Sequence, residues 1–127
     1  MSEQPQAMSL ALGEIADHVQ QGLAVFDSAF ELVMANARYR DMLDLPESML
    51  HPGTPLLELA LVLARRGVLG EGDPARLAQG RVQRLREGPA VTSAPLRHGG
   101  HVFEAHARRL RDGSLVVSLL NETARIT

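Results

Sequence analysis

The apolar residues of this chain change period twice. From Gly22 to Ala35 they come as two short runs, "GLAVFD" and "ELVMA", joined by "DSAF". From Asn36 to Gly88 they recur at helical spacing, and after Gly88 they return to short runs broken by glycine. A strand turns successive side chains to opposite faces and a helix repeats every 3.6 residues, so a run patterned for one does not settle as the other. The pattern therefore predicts two strands, a helical block and three more strands. Strands split in this way indicate an α+β fold, with one antiparallel sheet and helices on one face.

Local chemistry agrees with each boundary. Asp27 leads the first turn, where its side chain can accept from backbone amides ahead of it. Leu23 and Val25 are expected on one face of the first strand and Phe26 on the other. Asn36 stands where the period changes, and its side-chain oxygen suits a helix N-cap. Tyr39, Met42 and Leu43 then fall at core spacing, and the helix stops before Pro46. Thr54 is expected to cap the second helix, with Pro55 at its first position, where the missing N–H costs nothing. That helix, within "PLLELALVLARRG", is apolar on most sides and ends at Gly67. Asp73 caps the third, Pro74 opens it, Gly88 closes it, and Ala78, Val82 and Leu85 form its buried stripe. Gly80 inside this helix costs about 1 kcal/mol against alanine, and a close helix–sheet contact is the expected reason. Gly99-Gly100 joins "AVTSAPLRH" to "HVFEAHARRL" as a two-residue hairpin. "RDG" then turns into "SLVVSLLNET".

Ahead of the first strand, residues 1–7 read as a disordered leader. Met8, Leu12, Ile15 and Val19 make the apolar stripe of a flanking helix over 8–21. The leader lacks a basic region before an apolar core, which argues against a signal peptide. The most apolar run, "LLELALVLA", carries Glu58 and ends in Arg65 and Arg66, so no membrane contact is expected and the location is read as cytoplasmic.

Composition removes several chemistries. The 127 residues are 45% hydrophobic, enough for one cored domain. The net charge of -2 gives no field favouring nucleic acid. The absence of cysteine excludes disulfides, thiolate metal sites and thiol nucleophiles. Among five histidines, His98 and His101 should face each other across the hairpin with Cβ atoms about 5 Å apart. His106 points to the opposite face, and two ligands at an exposed turn make a poor metal site. The clusters Arg81, Arg84, Arg86 and Arg108, Arg109, Arg111 read as solvated faces with acidic neighbours. Glu104, His106 and Arg108 share one strand face. Asp41, Asp44 and Glu47 sit near a helix end and read as solvated. No serine elbow or phosphate-binding glycine loop is present, so no catalytic residue is assigned.

The order of "GLAVFD", the "MAN" entering a helix, "LDLP" before "PGTP", "ARRGVLGEGDP" and the closing "RDGSLVVSLLNET" resembles a PAS domain, the sensory module of bacterial histidine kinases and related signalling proteins. The resemblance spans Ile15 to Thr123 and places the domain at 22–123, with 124–127 beginning an output linker. It implies a five-stranded antiparallel sheet covered by helices on one face, with a pocket between, and Asn36 matches the family's crossing from hairpin to helix. It further implies a sensor of a small apolar ligand or partner that passes a signal to a C-terminal effector, most readily a histidine kinase in two-component signalling. A ligand-free dimerisation or docking module is the alternative. The family's usual Asp-Ile-Thr ending, which couples the core to an outgoing helix, is replaced by Asn121, Glu122 and Thr123. These are the expected relay residues, and a salt bridge from Asn121 is lost. Family haem sites use a histidine on the long helix before the last three strands, which here has none. His51, in the loop before "PGTP", is the one histidine placed to approach a pocket. Flavin or chromophore attachment needs a cysteine, and aromatics are only 3% of residues. Neither haem nor flavin is expected.

Pocket candidates are Val25, Met34, Tyr39, Met42, Leu56, Leu59, Leu63, Val82, Phe103 and Leu119, with Tyr39 as the polar handle. In the last strand Leu115, Val117 and Leu119 share one face, and Val116, Ser118 and Leu120 share the other. The helices cover only one face. The flanking helix, through Met8, Leu12, Ile15 and Val19, is therefore expected on Val116 and Leu120, alone or at a homodimer interface.

Overall fold

The computed structural model describes residues 21–121. They form β1 (Gly22–Phe26), β2 (Leu32–Ala35), α1 (Ala37–Leu43), α2 (Leu56–Arg65), α3 (Pro74–Glu87), β3 (Val91–His98), β4 (His101–Arg109) and β5 (Leu115–Asn121), with a 3-10 turn at Glu47–Met49. All five strands pair antiparallel in the order β2-β1-β5-β4-β3. The last strand thus lies in the middle of the sheet. The expected leader, the flanking stripe Met8, Leu12, Ile15 and Val19, the relay residues Glu122 and Thr123, and the linker 124–127 lie outside the described residues.

The turn from β2 into α1 depends on Asn36, which is 3% exposed. Its Oδ1 accepts from the Tyr39 amide at 2.9 Å and so caps α1. The same oxygen accepts from the Leu23 amide at 2.9 Å, and Nδ2 donates to the Gln21 carbonyl at 3.0 Å. One side chain therefore ties the start of α1 to the start of β1. The approach is close: a Cβ at Gly22 would lie 2.9 Å from the Tyr39 Cα, so only glycine fits. At the other end of the sheet, Gly99 and Gly100 take φ of 59° and 79°. Two positive φ values define the hairpin turn whose twist matches its strands, and His98 pairs with His101 across it.

The core lies between the helices and one sheet face. Ala24 and Phe26 of β1, Leu32 of β2, Phe103 of β4 and Leu115, Val117 and Leu119 of β5 point inward, against Leu43, Leu56, Leu59 and Leu63. β3 is an edge strand, which accommodates Pro95.

Several expectations change. Pro55, not Thr54, is the N-cap residue of α2, and no side chain bonds there. Thr54 is buried because its segment extends the sheet edge: its carbonyl accepts from Leu32 N, and Glu31 bridges Pro55. Gly80 is not required by close packing, since a Cβ there would meet nothing within 4 Å. Arg109 is not solvated. Its Nη1 donates to the Leu85 carbonyl at 2.7 Å and its Nη2 to the Gly88 carbonyl at 2.9 Å, satisfying the last turn of α3 from β4. Arg66 likewise donates to the Asp44 carbonyl at 2.5 Å, tying α2 to the end of α1. Among the described residues no helix is long and apolar enough to cross a membrane.

Candidate functional site

A cavity of about 70 Å³ lies under α2 and α3, against the inner face of β3, β4 and β5. Its cause is side-chain size. Ala94 pairs with Ala105, and Thr92 pairs with Ala107. These inward positions carry small side chains where their neighbours Leu96 and Phe103 are large, so the sheet floor is recessed below the helices. Leu56, Leu59, Ala60 and Leu63 of α2, Leu85 of α3, Leu69 and Val117 complete the apolar wall.

Three polar side chains interrupt that wall: Tyr39, Thr92 and Arg81. Tyr39 is 4% exposed, and burial pushes its pKa up to about 12. Arg81 is half-buried. Burial, and then the like charge of Arg84, lower its pKa below the ordinary arginine value. Outside the cavity, Arg81 and Leu69 continue into a groove on α3 lined by Arg76, Leu77, Gly80 and Arg84.

Of the ten residues expected in the pocket, Tyr39, Leu56, Leu59 and Leu63 line this cavity. Val25 and Met34 do not reach it. They pair with each other across β1 and β2 on the opposite sheet face, because strand alternation gives the inward positions to Ala24 and Phe26. Leu119 and Phe103 point inward but are packed into the core, and Met42 and Val82 pack against its margin. Sequence reasoning favours large residues, and large residues fill space. The signal it misses is the set of small residues at alternate strand positions, Ala94, Ala105 and Ala107, together with Arg81.

The outer face carries Leu23, Val25, Met34, Val116 and Leu120, all half-buried. Val25 is opposite Val116, and Leu120 is opposite Glu104. Asn121 closes β5 opposite Phe103. His98 and His101 lie beside an open groove at the hairpin, and the His101 ring stacks on Phe103 with centroids 5.9 Å apart. Among the described residues, no three His, Cys, Asp or Glu side chains are grouped to hold a metal ion.

A family model described as the PAS fold matches residues 16–127. The chain belongs to the PAS-fold family. Solved structures agree in architecture. The chain is similar to the phage VqmA–DPO complex, with TM-score 0.62 and 15% identity, covering 95% of this chain and 56% of that one. It is similar to a domain of the sensory box sensor histidine kinase/response regulator from Geobacter sulfurreducens, with TM-score 0.53 and 16% identity over 94% and 98% of the two chains. It is also similar to the RpfR quorum-sensing receptor PAS domain of Cronobacter turicensis in complex with C12:0, with TM-score 0.51 and 12% identity over 82% and 95%. No curated protein matches the chain. At these identities the structural likeness shows the fold alone. PAS domains are generally non-catalytic sensory modules, and this PAS domain has the sheet order, the one-sided helices and the intervening cavity of such a module.

Proposed function

We propose that this PAS domain binds a small, mainly apolar ligand between α2, α3 and the sheet, and passes its presence to an effector that follows β5. The observation that carries this reading is the position of Val117. It lines the cavity, and it belongs to the central strand, which ends at Asn121. A ligand that fits one arrangement of this strand better than another shifts the population of the two by its difference in affinity. The C12:0 complex of the similar RpfR PAS domain, and the DPO complex of the similar phage VqmA, support ligand sensing. The likeness to a sensor histidine kinase/response regulator domain supports a kinase effector in a two-component system, and a cytoplasmic location is proposed with it. The domain itself is proposed to be non-catalytic and to need neither haem nor flavin.

Ala105→Leu fills the recess and tests the reading. Native mass spectrometry of freshly purified protein is expected to show a small-molecule adduct that Ala105→Leu loses, with no Soret or flavin band in absorption. A retained haem or flavin, or the same adduct on both proteins, overturns it.

A second reading rests on the outer face. Leu23, Val25, Met34, Val116 and Leu120 form an apolar patch opposite the helices. We propose that a homodimer covers this patch, with the 8–21 segment between the copies. Such a dimer serves as the relay for a bound ligand, or as the whole function if the cavity stays empty.

A further inference from the structure

The polar groups of the cavity are not answered by the protein. Among the described residues neither the Tyr39 hydroxyl nor the Arg81 guanidinium has a hydrogen-bond or ion-pair partner. Among them, too, no buried side-chain polar atom is both sealed from solvent and unpaired, so the Tyr39 hydroxyl keeps some access to solvent, and Tyr39 lines the cavity. An arginine drawn partly out of water beside apolar side chains is costly unless an anion meets it. No acidic side chain of the described residues lines either the cavity or the adjoining groove. The groove adds Arg76 and Arg84 around Gly80, where a Cβ would meet nothing within 4 Å and the space beside the helix is open. The site is therefore a basic mouth that opens, at Arg81, into an apolar interior.

We propose that the cavity takes a small aliphatic monocarboxylate, with its carboxylate on the Arg81 guanidinium and its chain among Leu59, Leu63, Ala105 and Val117. This rests on the ligand-sensing reading above and names its ligand class. A guanidinium meets a carboxylate with two parallel N–H···O bonds, and such bonds are stronger in a site partly withdrawn from water. Arg81 is the cation that lines the interior, and it balances one negative charge. Arg76 and Arg84 remain outside, where they raise the local concentration of anions. The volume sets the length. A cavity of about 70 Å³ is about half of the roughly 150 Å³ that takes up the six carbons of benzene. That suits about three carbons inside with the carboxylate at the mouth, the size of butyrate.

The test compares sodium butyrate with 1-butanol, which has the same chain and no charge. Binding to the wild-type protein, Arg81→Gln and Ala105→Leu is followed by isothermal titration and by ligand-induced thermal shift. Butyrate is expected to bind at least about tenfold more tightly than butanol, and Arg81→Gln to abolish that preference while retaining butanol binding. Ala105→Leu should weaken both. Because Arg81 has no partner among the described residues, Arg81→Gln without ligand should unfold at the wild-type temperature or above it. If butanol matches butyrate on the wild-type protein and Ala105→Leu blocks both, the carboxylate is refuted while ligand sensing stands. If neither probe binds at up to about 10 mM, the monocarboxylate is refuted, while ligand sensing is decided by the native-mass adduct and its loss in Ala105→Leu. A marked loss of stability in unliganded Arg81→Gln would show that Arg81 serves the fold, and would also overturn the proposal.

Discussion

Replacing Asn36 by alanine should cost much more than the loss of an ordinary helix cap. A lost N-cap costs about 1 kcal/mol. Here the same oxygen also serves the Leu23 amide, in a side chain that is 3% exposed. Leaving that amide without its acceptor adds about 1–3 kcal/mol. The expected total is about 2–4 kcal/mol, or a fall in midpoint temperature of roughly 10 °C for a domain of this size. Asn36→Asp separates the two contributions. It keeps an acceptor for Leu23 N and Tyr39 N, and a negative charge at a helix N-terminus is favourable by a few tenths of a kcal/mol. It loses the donor to the Gln21 carbonyl and places two oxygens in apposition. Its loss should be smaller than that of alanine, about 1–2 kcal/mol. Urea denaturation, with slopes compared to confirm a common unfolded state, measures both. An alanine variant that loses no more than about 1 kcal/mol, or an aspartate variant as unstable as alanine, would refute the linkage of β1 to α1 through this side chain.

Three further outcomes are expected. Gly80→Ala should raise stability by about 1 kcal/mol, because the position is helical, exposed and open; a lower denaturation midpoint would mean that the backbone there needs glycine. Tyr39 has its folded pKa raised to about 12 from 10.0, so its contribution is complete below pH 10 and is lost as pH rises from 10 to 12. The loss should reach about 2–3 kcal/mol, and Tyr39→Phe should flatten that part of a stability–pH profile; an unchanged slope would place the hydroxyl in water. Leu120→Arg can pair with Glu104 opposite it and should fold, yet it should weaken self-association by about 10-fold or more. Sedimentation that shows the wild-type subunit number at every concentration would remove Leu120 from an interface.

The elements and their order are legible in the residues alone. Period, caps and turn glycines act over a few residues, so Asn36, Asp73, Gly67 and Gly99-Gly100 mark boundaries that hold in the folded chain. Strand parity was equally local, and it separated Val116 and Leu120 from Leu115, Val117 and Leu119. The tertiary structure alone decided which of two apolar faces meets the helices, and so removed Val25 and Met34 from the cavity. It also decided where space is left. A cavity arises from what several elements together fail to fill, and Ala94, Ala105 and Ala107 become a recess only when β3 and β4 align them under α2 and α3. The roles of Arg109 and Arg81 follow from the same cause. Both are arginines in basic clusters, and only the packing of α3 against β4 gives one the carbonyls of a helix end and leaves the other facing an apolar space without a counter-charge.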